Sequence, residues 1–220
     1  MSASNRNPVL VVGLGRFGGS VARTLERMGH EVLGADVSPG RVQQFADSLT
    51  QAVEADGTDM TCLRQLGVAD FEAAVVGIGS NIEASVLTVL ALSDLGIGNI
   101  WAKATNEKHA RILERTGASH VVFPEERMGE RVAHLLNERL LDFIDFGDDF
   151  AIARLSAPEP IIGVRLVTSE CRKKHHVTVV GVKREGEDFI HTVPDTLIMP
   201  GDVLVVSGRI DQIEAFAALE

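Results

Sequence analysis

The feature that most constrains the fold is the segment of residues 9–36. An apolar run ends at Val12 and is followed directly by the glycine-rich sequence GLGRFG at residues 13–18. A helical pattern of apolar residues comes next, and a second apolar run ends at Asp36. A strand, a G-x-G-x-x-G turn, a helix and an acidic residue after the next strand are typical of a Rossmann nucleotide-binding unit.

Each glycine of this turn has an expected role. Gly13 permits the tight turn, Gly15 lets a pyrophosphate approach the backbone, and Gly18 lets the helix pack close to the strand. The helix N-terminus then offers N–H groups and a partial positive charge to phosphate. Asp36 would accept hydrogen bonds from the adenosine ribose. The alternative is a glycine-rich turn that binds no ligand.

The loop also contains Arg16 and Phe17, which we expect beside the same ligand. A guanidinium in the middle of the loop can hold a terminal phosphate through two hydrogen bonds. Arg16 therefore favours ADP or ATP over a purely dinucleotide ligand.

Strand-like and helical segments alternate six times up to residue 123. This alternation predicts a doubly wound parallel sheet with right-handed crossovers, whose ligand crevice lies beyond the carboxyl ends of the strands. Polar or small residues follow several of these strand ends, as a nucleotide pocket requires. They are Asp56, Gly57 and Thr58 after the third strand, Gly79, Ser80 and Asn81 after the fourth, and Lys103 after the fifth.

Two of the charged candidates have simpler interpretations. Lys103 could be a solvated lysine at a strand end. Glu125, with its neighbour Glu126, could simply stabilise the start of the next helix through the helix dipole.

The chain changes character after residue 123. Residues 125–143 predict a last helix whose apolar stripe needs another surface, plausibly a second subunit. Residues 143–149, rich in acids, predict a linker, and from Phe150 the apolar period changes from 3.6 to 2. We therefore predict two domains, a nucleotide-binding domain with its crossover helix at residues 1–143 and a small α+β domain at residues 144–220.

Composition excludes several functional classes. The formal net charge of −10 argues against nucleic acid or an anionic membrane surface as the main partner. The two cysteines, Cys62 and Cys171, have no metal-site spacing, which fits a reducing cytoplasm. No apolar run approaches the length of a membrane span.

The sequence also lacks the signals of an enzyme. A dehydrogenase needs a substrate domain with a proton donor beside the nicotinamide. The part of the chain after the sixth predicted strand has no obvious His–Asp or Ser–Tyr–Lys constellation. The fold thus indicates nucleotide binding without indicating a reaction.

These motifs resemble those of the KtrA/TrkA-type regulators of potassium uptake, which carry an RCK (KTN) domain, and the similarity is strongest toward the KtrA branch. The first domain carries the family's motifs in the family's order, GLGRFG, GIGSN, WAKA and FPEERMG. The second domain resembles the RCK C-terminal domain through IMPGDVLVVSG. The resemblance extends over nearly the whole chain and is more specific in the first domain.

The resemblance implies a cytoplasmic ring, typically an octamer built from dimers, docked beneath a KtrB/TrkH-type membrane subunit. ATP or ADP would occupy the Rossmann pocket, and their exchange would gate ion flow. Arg16 would meet the terminal phosphates of its own nucleotide or of a neighbouring subunit's, and Lys103 would lie near the phosphates. Glu125 resembles the family's carboxylate at the interface within a dimer, where Mg²⁺ or another divalent cation can sit.

Two further ligands stay open at this point. Some relatives bind cyclic di-AMP at a dimer interface of the second domain through an apolar pair and a basic residue, for which Ile161, Ile162 and Arg172 are the candidates here. His175 and His176 depart from the pattern of many relatives in this region. NAD(H) also fits the glycine turn and Asp36, so a redox sensor or small oxidoreductase is the alternative function.

Overall fold

The computed structural model describes residues 8–136 and 139–220. The chain divides into two units, one up to Glu125 and one from Glu126 onward. Residues 1–7, at the start of the predicted first domain, and residues 137–138, inside the predicted last helix, lie outside the described residues.

The described part of the first unit alternates strands and helices. Its elements are β1 (Val9–Val12), α1 (Arg16–Arg27), β2 (Val32–Asp36), α2 (Pro39–Phe45), β3 (Gln51–Glu54), α3 (Met60–Gln65), β4 (Ala73–Val76), α4 (Ile82–Asp94), β5 (Asn99–Lys103), α5 (Glu107–Thr116) and β6 (His120–Val122). The strands form one sheet in the order β3-β2-β1-β4-β5-β6, and every pairing is parallel. The predicted doubly wound parallel sheet is confirmed.

Strand β1 lies at the centre of this sheet because it is apolar on both faces. All four of its residues are buried, and Val9 pairs with Val32 of β2 on one side and with Ala73 of β4 on the other. The chain runs outward from β1 to β2 and β3, and it then crosses over to β4 on the other side of β1. A crevice for a ligand opens at such a switch point, beyond the carboxyl ends of the strands.

The predicted last helix is too long. The helix α6 (Pro124–Leu135) ends early, and β7 (Leu140–Asp145) follows as a strand paired with β8 (Phe150–Ser156). A shift of register between Leu140 and Asp142 inserts one extra residue into β7. Such a bulge turns Leu140 and Phe143, three residues apart, toward the same core, which imitates the spacing of a helix.

The predicted linker at residues 143–149 is also wrong. It is the end of β7 and the turn of the β7–β8 hairpin, in which Phe150 N–H donates to the carbonyl of Gly147. A boundary between residues 143 and 144 would cut through β7, so the division lies earlier, after Glu125.

The described part of the second unit is a small α+β domain, as predicted. Its remaining elements are α7 (Leu166–Ser169), α8 (Cys171–Lys174), β9 (Thr178–Lys183), β10 (Phe189–His191), β11 (Val203–Arg209) and α9 (Ile210–Ala217). The antiparallel sheet has the order β10-β9-β11-β8-β7, and α9 buries Ile213 and Phe216 in its core. None of the described helices has both the length and the apolar character needed to cross a bilayer.

Candidate functional site

The glycine loop at the end of β1 is held by close backbone contacts. Gly13 has φ +91°, a conformation that residues with a Cβ rarely adopt. A Cβ on Gly18 would collide with the carbonyl oxygen of Gly13, so α1 can approach β1 only with glycine at this position. These contacts match the expected roles of Gly13 and Gly18 in the turn.

Gly15 differs from its neighbours because it faces open space. A Cβ built on it meets no heavy atom within 4 Å. Gly15 is also the N-cap of α1 and makes no side-chain capping hydrogen bond, so the first N–H groups of the helix lack the usual side-chain partner. This is the arrangement that an anion at a helix N-terminus requires.

Arg16 and Phe17, at the start of α1, differ in their exposure to solvent. Arg16 is exposed. The ring of Phe17 is half-buried against the apolar cluster that contains Val11 and Leu14. Phe17 would therefore contribute its backbone N–H to a ligand, whereas its ring belongs to the core.

Gly77, the first residue of the GIGSN motif at the end of the fourth predicted strand, completes the loop. Its N–H donates to the carbonyl of Val12 at 2.8 Å. A Cβ at this position would lie 2.9 Å from the carbonyl oxygen of Gly13 and 3.1 Å from the Cα of Gly18. The glycine that directly follows the apolar run of β4 is the sequence signal that indicates this close backbone contact.

Asp36 lies at the end of β2, as predicted, but its carboxylate is already engaged. The residue is 3% exposed. Its Oδ2 accepts from the N–H of Leu14 at 2.7 Å and from Arg41 at 3.2 Å, and its Oδ1 accepts from the N–H of Ser38 at 2.9 Å. Asp36 therefore ties the glycine loop to β2, and Oδ1 has the capacity to accept a further hydrogen bond from a ribose hydroxyl.

Arg41 is a residue of the site that the sequence patterns did not predict. Its side chain is 55% exposed and lies on the Asp36 carboxylate. Because an exposed arginine side chain can turn away at small cost, Arg41 controls access to Asp36 without closing it permanently.

The segment after β3 is organised by its own side chains. Both the N–H and the hydroxyl of Thr58 donate to Oδ1 of Asp56, at 2.9 and 2.8 Å. Gly57 is buried, and a Cβ there would lie 2.7 Å from Val12 and 2.9 Å from Thr88. Asp56 is exposed beside the crevice, whereas Gly57 is required by packing between β1 and α4.

The segment after β4 carries three more of the predicted residues. Asn81 is the N-cap of α4, and its Oδ1 accepts from the N–H of Ala84 at 3.1 Å. Ser80 is exposed. Gly79 lies under the stem of Lys103, because a Cβ on Gly79 would be 3.0 Å from Lys103 Cε.

Lys103 and Glu125 are brought together at the end of β5. Lys103 Nζ donates to Glu125 Oε1 at 2.5 Å. The side chain of Lys103 is 13% exposed and that of Glu125 is 67% exposed. The hydrogen bond from Lys103 lowers the pKa of Glu125 below its ordinary value of 4.5, and the positive charges of Lys103 and Arg16 lower it further. Three of the predicted residues, Arg16, Lys103 and Glu125, therefore interact electrostatically at one edge of the crevice.

The described residues alone do not form a complete site for a divalent cation around Glu125. Within the described ranges, no three His, Cys, Asp or Glu side chains come together as a metal site. Glu125 could hold a cation only together with oxygen ligands from a phosphate or from a second protomer.

Within one protomer, Arg172 is the one candidate cyclic di-AMP residue that lines the described cavity of the second unit. Arg172 borders a cavity of about 470 Å³ in the second unit and donates from Nε to Thr178 at 3.2 Å. Ile161 is 3% exposed and belongs to the core of this unit. Neither Ile161 nor Ile162 is among the residues that line the cavity.

Two domain families match the chain. The TrkA-N domain matches residues 9–124 and the TrkA-C domain matches residues 150–220. The Ktr system potassium uptake protein A of Bacillus subtilis is 39% identical over 94% of this chain and 93% of its own length. The Ktr system potassium uptake protein A of Vibrio alginolyticus is 34% identical over 92% of this chain and 93% of its own length.

Solved structures share the fold. The GsuK channel bound to NAD has a TM-score of 0.64 and 21% identity, covering 100% of this chain and 40% of the channel. GsuK bound to ADP has a TM-score of 0.51 and 20% identity, covering 60% of this chain and 35% of that one. The Shewanella denitrificans Kef CTD in its AMP-bound form has a TM-score of 0.51 and 26% identity, covering 60% and 82%.

The glycines at positions 15 and 18 provide a test of the loop geometry. Gly18→Ala should lower the free energy of unfolding by about 2–3 kcal/mol, because the new methyl group collides with the backbone of Gly13. Gly15→Ala should cost less than about 1 kcal/mol, since that position is open and alanine is only a poorer N-cap. Urea unfolding followed by circular dichroism measures both, and equal losses would show that the packing difference is not real.

Proposed function

The chain belongs to the TrkA/Ktr family of regulatory proteins of potassium uptake, and we propose that it binds ATP and ADP in its first unit and thereby controls ion flow through a KtrB/TrkH-type membrane subunit. The proposal places the chain in the cytoplasm, at the inner face of the membrane, through that partner. We propose that its role is regulatory and not enzymatic, in a potassium uptake system like those for which its relatives are named.

The observation that carries the proposal is the open N-terminus of α1. Gly15 leaves room for a phosphate, and the first N–H groups of the helix have no side-chain cap. Arg16 and Lys103 supply positive charge near the same edge, since both lower the pKa of Glu125. The nucleotides bound by relatives of this fold, NAD, ADP and AMP, support the same ligand class.

The remaining predicted residues would hold the adenosine. Oδ1 of Asp36 would accept from a ribose hydroxyl, with Arg41 turning aside. Asp56 and Thr58 would flank the adenosine on one side, and the small segment Gly79-Ser80-Asn81 would flank it on the other.

Control of ion flow requires that ATP and ADP favour different shapes of the assembly. A ligand shifts such an equilibrium only by its difference in affinity for the two shapes. The additional phosphate of ATP supplies a difference, because it adds negative charge beside Arg16 and Lys103. A phosphate that attracts Lys103 also weakens the Lys103–Glu125 pair, which makes the Glu125 carboxylate available to a divalent cation such as Mg²⁺.

The family and the exposed face of α6 support a homo-oligomer. Met128 and Val132 on this helix are 52% and 46% exposed, and Leu136 just after it is 75% exposed. An exposed apolar stripe of this kind favours contact with another protein surface. We propose that α6 pairs two protomers and that the dimers assemble into an octameric ring.

Binding of NAD(H) is the second candidate, because Asp36 has the position of a ribose acceptor and the GsuK channel binds NAD. This alternative would make the chain a redox sensor or a small oxidoreductase. A hydride-transfer assay with NADH separates it from the nucleotide-controlled regulator.

Arg16 provides the most direct test of phosphate recognition. Arg16→Ala should weaken ATP binding about tenfold and ADP binding less than about threefold, because a guanidinium–phosphate contact is lost only with the longer ligand. Isothermal titration calorimetry on the full chain measures both affinities. Arg115→Ala, which removes an exposed arginine from α5, is the matched control and should change neither. Equal losses for ATP and ADP would contradict the proposed role of Arg16.

Glu125 provides a test of the cation. Glu125→Gln should abolish the stimulation of potassium uptake by Mg²⁺ in proteoliposomes that contain the membrane subunit and this chain, since an amide replaces the charged ligand. Glu126→Gln removes the same charge from the neighbouring exposed position and should retain the stimulation. Unchanged dependence on Mg²⁺ in the Glu125 variant would refute the metal role.

A further inference from the structure

A cavity lies in the first unit between α1 and α2, beside the glycine loop. Its volume is about 870 Å³, within the range of small-molecule sites. Four arginines line it, Arg16, Arg23, Arg27 and Arg41, together with a single carboxylate, Glu26. We call this cavity the arginine groove. It meets the glycine loop at Gly15 and Arg16 and extends from there along α1.

The arginines of α1 lie on one side of the helix because of their spacing. Arg16, Arg23 and Arg27 are separated by seven and four residues, which are close to two turns and one turn. At a rise of about 1.5 Å per residue, the stripe is roughly 16 Å long. It is therefore longer than the contact surface of one phosphate group and extends well beyond the N-terminus of α1.

The base of the arginine groove positions one of these guanidinium groups. Phe45 of α2 packs directly against Gly19 of α1, where a Cβ would collide with the ring. The guanidinium carbon of Arg23 lies 4.4 Å from the centroid of the same ring. This cation–π contact holds the guanidinium in place while its N–H groups remain available at the edges.

The positive charge of the groove is only partly neutralised. Of the four arginines, Arg41 alone is paired with a carboxylate in the described part of the chain, through Asp36 at 3.2 Å. Arg27 donates to the hydroxyl of Thr24 at 3.0 Å. Glu26 contributes one negative charge to the groove, and its Oε1 accepts from the Thr50 hydroxyl at 2.8 Å. In a chain with a net charge of −10, such a concentration of arginine does not follow from composition.

We propose that the arginine groove binds a soluble small molecule that carries two or more phosphate groups, at a site that adjoins the nucleotide pocket, shares Gly15 and Arg16 with it and extends beyond it to Arg23 and Arg27. Guanidinium groups match phosphate oxygens through paired hydrogen bonds. Spacing along α1 favours several phosphates over one. The acidic chain as a whole disfavours nucleic acid as the occupant. The proposal does not depend on the proposed function, because Arg23 and Arg27 take no part in the nucleotide pocket.

Inorganic tripolyphosphate is the probe, titrated by calorimetry into the full chain at about 50 mM salt, with and without saturating ADP. We expect binding in both conditions. The double variant Arg23→Gln/Arg27→Gln should weaken tripolyphosphate binding at least about tenfold and leave ADP binding unchanged. The control Arg111→Gln/Arg115→Gln removes two exposed arginines with the same spacing from α5 and should leave both ligands unaffected.

Four results would overturn the proposal. Equal weakening in the two double variants would indicate nonspecific attraction. Displacement of tripolyphosphate by ADP would place it at the glycine loop instead. Absence of binding at millimolar tripolyphosphate would exclude the site directly. The fourth result combines two observations. If tripolyphosphate does not bind, and if the chain sediments with phosphatidylglycerol vesicles but the Arg23/Arg27 variant does not, the groove binds lipid headgroups. A chain that binds tripolyphosphate but not ADP would support the groove and contradict the proposed nucleotide pocket.

Discussion

The first unit depends on close backbone contact between the glycine loop and the segment after β4. Gly13, Gly18 and Gly77 lie so close together that a Cβ on Gly18 or on Gly77 would come within 3.0 Å of the carbonyl oxygen of Gly13. This contact fixes the start of α1 against β1 and leaves Gly15 facing open space. Because the N–H groups of the helix point toward that space, the packing of three glycines also creates the place where a phosphate can bind.

Asp36 extends this arrangement to the next strand. Its buried carboxylate accepts from the backbone of Leu14, inside the glycine loop, and from Ser38, at the start of α2. A carboxylate that is nearly removed from solvent needs such donors, because an unpaired charge there would be costly. Asp36 therefore has a structural role in addition to any contact with ribose. Arg41 connects the same carboxylate to the arginine groove.

Charged side chains interact at one edge of the crevice, where a charged ligand would compete with them. The Lys103–Glu125 pair lies at the end of β5, and the positive charge of Arg16 acts on the same carboxylate. A ligand that adds negative charge here competes with Glu125 for the lysine. Such competition would leave the Glu125 carboxylate without its lysine partner. Glu125 is the residue at which the chain passes from the first unit to the second.

The sequence predicted those parts of the molecule that local patterns determine. The strand–glycine loop–helix order and the alternation of strands and helices predicted the parallel sheet, and the change of period after Phe150 predicted the second domain. The β7 strand was missed because its bulge spaces Leu140 and Phe143 like residues of a helix. The engagement of Asp36 and the contacts of Gly77 and Arg41 depend on residues distant in sequence, which no local pattern contains.

Small-angle X-ray scattering of the purified chain, saturated in turn with ATP and with ADP, tests the central claim most directly. The account predicts a multimer whose scattering curves differ between the two nucleotides, because the terminal phosphate favours one shape of the assembly. Superimposable curves at full occupancy, or a monomer in both conditions, would contradict it.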